Sequence, residues 1–146
     1  MDSRAVVRNE IENILHELDF LKILIAKLAS HELDAVEIRA AALSLSTIYS
    51  GMERVILEAL KDRFGFRPEG LNWHVQLLER AGSSSLISEP TQVELKSFLA
   101  FRHFIRHAYS FEINPRMIEK ILDRAPDLVH GFIGEIRQGY LGSVDE

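Results

Sequence analysis

Apolar residues near the start of the chain recur at three- and four-residue steps: Val6, Val7, Ile11, Ile14, Leu15, Leu18, Leu21, Leu24, Ile25 and Leu28. That period keeps one face of a helix dry and predicts a long amphipathic helix from Asp2 to about Ser30. His31–Leu33 is the turn. Asp34 with Glu37 has the spacing of a capping box and opens a second long helix running to about Phe64. Its stripe is Ile38, Ala41, Leu45, Ile48, Tyr49, Met52, Val55, Ile56 and Leu60, interrupted by Gly51, which suits a close helix crossing. Phe64–Leu71, with two glycines and a proline, is a loop. Asn72–Ala81 forms a short helix on Trp73, Val75, Leu77 and Leu78.

Gly82–Pro90 holds four serines and predicts the longest flexible connection. Thr91 with Glu94 is a second capping-box pattern, opening a helix that ends soon after Tyr109. Asn114 followed by Pro115 is a cap and a first-position proline. The last helix follows to about Gln138, kinked or split by Pro126 near Arg124–Ala125, with a frayed tail from Gly139. Strand alternation is absent. The fold class is therefore all-α: one domain, residues 1–146, as an antiparallel bundle of four long helices and one short one.

Composition narrows the chemistry. The chain has 146 residues, 47% of them apolar, enough for a folded core. It has no cysteine, which excludes disulfides, thiolate metal sites and a thiol nucleophile. No apolar run approaches the ~20 residues of a membrane span, and the N-terminus lacks a signal-peptide core, so a cytoplasmic location is expected. A net charge of −5 argues against broad nucleic-acid binding, yet Lys96, Arg102, Arg106 and Arg116 face only Glu112 between positions 96 and 116. The local sign opposes the global one.

That local excess centres on Phe101–Tyr109, FRHFIRHAY. On a helical wheel Phe101, Phe104, Ile105 and Ala108 form an apolar face, and Arg102, His103, Arg106, His107 and Tyr109 a polar one. Arg102 and His107 are five residues apart, about 7.5 Å along the axis and about 140° around it, and would flank a shallow groove. A guanidinium can hold a phosphate oxygen, and an imidazole can withdraw the proton of a ribose 2′-OH. The plain alternative is a solvated face or a polar subunit interface. His103 and His107, at i,i+4, could share a metal, but no acid lies nearby to supply a third ligand, and no metal or other cofactor is expected. His16, His31, His74 and His130 read as surface or cap residues. Arg63 and Arg67 read as solvated and Phe66 and Trp73 as packing residues, although they could widen a basic cleft or stack a base.

Arg102-HFIR-His107-Ala-Tyr109 resembles the R-x4-H-x-Y signature of HepT-like ribonuclease toxins of the HEPN superfamily, and the order of helices is similar along nearly the whole chain. The resemblance implies Arg102 and His107 as the catalytic pair; His103 and Arg106, beside them on the polar face, would line the cleft. It also implies metal-independent RNA cleavage at the border of a homodimer. A minimal nucleotidyltransferase would act as antitoxin by transferring AMP to Tyr109. The family often has a small polar residue after the arginine, where this chain has His103. With no group suited to activating an outside water, a 2′,3′-cyclic phosphate is the expected product. A non-catalytic nucleotide- or substrate-binding partner of a nucleotidyltransferase is the alternative, and a helical protein-interaction module a third.

Overall fold

The computed structural model describes residues 2–142. Five α-helices follow one another: α1 (Ser3–Lys27), α2 (Ala35–Phe64), α3 (Trp73–Ser83), α4 (Glu89–His107) and α5 (Pro115–Ile136), with a short 3-10 turn at Ser110–Glu112 and a π turn at Arg137–Leu141. The buried row of α1 is Val7, Ile11, Ile14, Leu18, Leu21 and Leu24. Its steps of four and three give the seam along which two helices pack at a shallow angle.

The partner of that seam is α2, which packs against all four other helices and is the axis of the bundle. Three polar ties fix the antiparallel register of α1 and α2. Ser3 donates to Glu58 at 2.9 Å, Arg54 to Glu10 at 2.7 Å, and Ser44 to Glu17 at 2.7 Å. The α1 positions of these ties are spaced by seven, so they run down one edge of the seam. Gly51 lies on the seam itself: a Cβ there would stand 2.7 Å from Ile14 Cγ1. The close crossing expected from the glycine is present.

Local signals held at two helix starts. Asp34 and Glu37 exchange both bonds of a capping box, and Asn114 caps α5 ahead of Pro115. At α4 the expectation fails. Ser88, not Thr91, is the cap, and Pro90 lies in the first turn, where a missing N–H costs nothing. Thr91 instead donates to Glu135 at 2.7 Å, and the Ser88 backbone N–H donates to the same carboxylate at 2.7 Å, fastening the start of α4 to the end of α5. The serine-rich connection is correspondingly short and anchored, with Leu86 and Ile87 buried.

Two further expectations are corrected on α5. Of the kink or split expected at Pro126, the split does not occur, because buried Ile121, Leu122 and Ala125 before it, and Leu128 and Val129 after it, hold both halves in one core. The chain also stays ordered past Gln138. Tyr140 is buried between Arg4 and Arg63, each 5.4 Å from its ring, and its hydroxyl donates to Asp62 at 2.7 Å. The rest of the expected frayed tail, 143–146, lies outside the described residues. No helix among the described residues is long and apolar enough to cross a membrane.

Candidate active site

The buried row of α4 is Thr91, Leu95, Phe98, Phe101 and Arg102. Arg102 stands seven residues after Leu95, two turns along the same side, so the helix carries it into the bundle rather than onto the polar face. Its residue is 5% exposed. The guanidinium Nη1 donates to Ser50 Oγ at 3.0 Å and to Glu53 Oε1 at 3.3 Å, and Cζ lies 4.8 Å from the centre of the Tyr49 ring.

Glu53, itself 6% exposed, completes a closed network. Its Oε2 lies 2.6 Å from His74 Nδ1 and accepts the Tyr49 hydroxyl at 3.2 Å. Arg102 Nη2 also approaches His74 Nδ1, at 3.1 Å. One ring nitrogen cannot accept from arginine while donating to glutamate. The shorter contact to an anion assigns the proton to Nδ1, directed at Glu53, and leaves arginine in van der Waals contact. Burial first, and the neighbouring carboxylate second, push the Tyr49 phenol far above its ordinary range, against the opposing pull of Arg102. Tyr49 therefore remains a neutral donor. No buried side-chain nitrogen or oxygen among the described residues lacks a partner.

The remaining motif residues face outward. His103, Arg106 and His107 are exposed, and the two imidazoles lean on each other with ring centres 4.5 Å apart. Phe104, expected on the apolar face, is 37% exposed. Tyr109 is not helical: Ala108 takes an extended conformation and ends α4. The phenol is 73% exposed and stacks on Phe111 at 5.6 Å, while its backbone N–H donates to Glu112 at 2.7 Å. Within this chain, therefore, Arg102 and His107 do not share the open groove that the helical wheel suggested. No group of three or more His, Asp or Glu side chains able to hold a metal ion occurs among the described residues.

Glu53, Ser50 and His74 were missed from the sequence, and His74 is not the surface or cap residue expected. The readable signal was Glu53 itself. It lies four residues after Tyr49 on the dry side of α2, where an unpaired carboxylate is costly. Such a residue demands a cation, and Arg102 at the buried i+7 position from Leu95 is that cation.

This bundle, with Arg-x4-His-x-Tyr at the end of its penultimate long helix, has the architecture of a HEPN-type domain. The chain belongs to the HepT-like proteins: that family matches residues 40–140, from the first turns of α2 through Tyr140 and including the whole motif. The assignment is to a toxin-type HEPN family. No curated protein matches the chain. Helix α1 lies outside the matched region, although it supplies half of the α1–α2 seam.

Proposed function

We propose that this protein is a metal-independent RNA endonuclease, the toxin of a two-protein system, with Arg102 and His107 as its catalytic pair. The observation that carries the reading is the Arg102-x4-His107-x-Tyr109 arrangement inside the HepT-like match, with His107 and Tyr109 both exposed to solvent. His107 takes the proton of a ribose 2′-OH, the 2′-oxygen bonds to phosphorus, and the bond to the 5′-oxygen breaks; that oxygen takes up a proton from solvent and leaves as a 5′-hydroxyl, and a 2′,3′-cyclic phosphate remains. No water is consumed in that step. Arg102 neutralises charge at phosphorus, which requires its guanidinium to leave Glu53. His74 Nδ1, already 2.6 Å from that carboxylate, then remains as its partner.

Because Arg102 turns inward and His107 outward, the cleft is completed by a second copy in a homodimer, whose twofold axis brings two motif ends together. The partner is a small nucleotidyltransferase. It joins the Tyr109 oxygen to the α-phosphorus of ATP with loss of pyrophosphate, and the added negative charge repels RNA from His107. The exposed phenol leaves that oxygen within reach of another enzyme.

The test is incubation of purified protein with single-stranded RNA in EDTA. Cleavage to cyclic-phosphate ends is expected, in Tyr109→Phe as in wild type, with only the wild type silenced by the transferase and ATP. Loss of activity in EDTA restored by one particular metal would overturn the mechanism, and an AMP mapped to another residue would overturn the role of Tyr109. The burial of Arg102 favours one competing reading, a non-catalytic helical module that binds nucleotide or holds substrate for the transferase. That reading expects no RNA cleavage under any condition.

A further inference from the structure

We propose that the cavity between α2 and the loop leading into α3 binds a single unstacked nucleotide, its base against Trp73 and its phosphate between Lys61 and Arg67. The cavity measures about 390 Å³ and is lined by Leu57, Lys61, Phe66, Arg67, Glu69 and Trp73, among others. That size lies in the range of small-molecule sites. Trp73 and Phe66 are half-buried against the core, which fixes their rings, while Lys61 and Arg67 are exposed and form no ion pair among the described residues. Arg80 lies over the Phe66 ring with Cζ 5.3 Å from its centre; Trp73 meets His74 on one side, and the base takes the part of the Trp73 ring that lines the cavity. Glu69 is the acid on the rim, and the two cations outweigh it. A fixed aromatic ring with cations beside it is the arrangement that holds an unpaired base and its phosphate.

The position of the cavity ties it to the site above. Glu53, Leu57 and Lys61 follow one another at four-residue steps along one side of α2, so the cavity begins about 6 Å along the axis from the carboxylate that holds Arg102. Trp73 leans on His74 with ring centres 3.7 Å apart and planes tilted by 33°, and His74 touches both Glu53 and Arg102. A nucleotide seated here presses on the residue that shares Glu53 with the arginine. The inference rests on the ribonuclease reading only in taking RNA as the longer ligand. A free mononucleotide has the same chemistry.

Trp73 is the only tryptophan in the chain, so its fluorescence reports the site directly. The experiment titrates full-length His107→Ala protein, chosen to keep RNA intact, with AMP and separately with a tetraribonucleotide. Inorganic phosphate at matched ionic strength is the control. Saturable quenching by the nucleotides and none by phosphate is expected. Lys61→Ala with Arg67→Ala should raise the Kd at least tenfold and flatten its salt dependence. Tighter binding of the tetranucleotide than of AMP makes the cavity an RNA subsite, and the opposite order makes it a site for free nucleotide. No quenching by either ligand, or quenching that the double variant leaves unchanged, overturns the proposal. Wild-type protein that cuts no RNA while the titration still saturates refutes the ribonuclease reading and leaves this one standing.

Discussion

The two ends of one nine-residue stretch are built for opposite environments. Phe101 and Arg102 are enclosed, the arginine by Ser50, Glu53, His74 and the face of Tyr49. His103, the next residue, and Arg106 and His107, about one turn on, stand in solvent with no ion pair among the described residues. Five positions along the chain thus take a cation held inside the bundle to an imidazole exposed to solvent. A motif can thus be compact in sequence while its members answer to different constraints, stability for one and access for the other.

The largest expected effect falls on the enclosed end. Glu53→Ala leaves the Arg102 charge buried without its carboxylate, which costs about 3–5 kcal/mol. A urea melt of that variant beside His103→Ala would measure the contrast, since the exposed substitution should stay within about 0.5 kcal/mol. Equal midpoints for the two would show that the buried network contributes nothing to the fold.

A smaller effect is expected from pH. The Tyr49 phenol, raised chiefly by burial and next by Glu53, and that of Tyr140, raised chiefly by burial and next by its hydrogen bond to Asp62, both titrate above their unfolded value. The folded state then binds more protons than the unfolded one. The stability this confers is complete below about pH 10 and is lost as pH rises beyond it. Tm recorded across that window should fall, and Tyr49→Phe should fall less steeply. A curve unaltered by the substitution would mean that Tyr49 is not held neutral by its surroundings.

Much of the scaffold was legible because it follows local rules. The rows of α1 and α2, the Asp34–Glu37 box and the Asn114–Pro115 start each depend on residues within one or two turns. The failures needed information from elsewhere in the chain. Ser88 and Pro90 begin α4 because Glu135, on another helix, binds the cap. Tyr140 extends the ordered chain because Asp62 and two arginines receive it. At the candidate site, spacing and the family resemblance singled out Arg102, His107 and Tyr109 as candidates. They could not show that the bundle turns Arg102 toward Glu53, nor that the chain leaves the helix before Tyr109, since contacts distant in sequence decide both.

The most direct test of this division is RNA cleavage by His107→Ala, read together with its denaturation midpoint. General-base catalysis by a positioned histidine accounts for roughly 10²–10⁴ in rate. Cleavage should therefore fall by at least two orders of magnitude while the midpoint stays at the wild-type value. A variant that still cuts RNA at the wild-type rate would contradict the account.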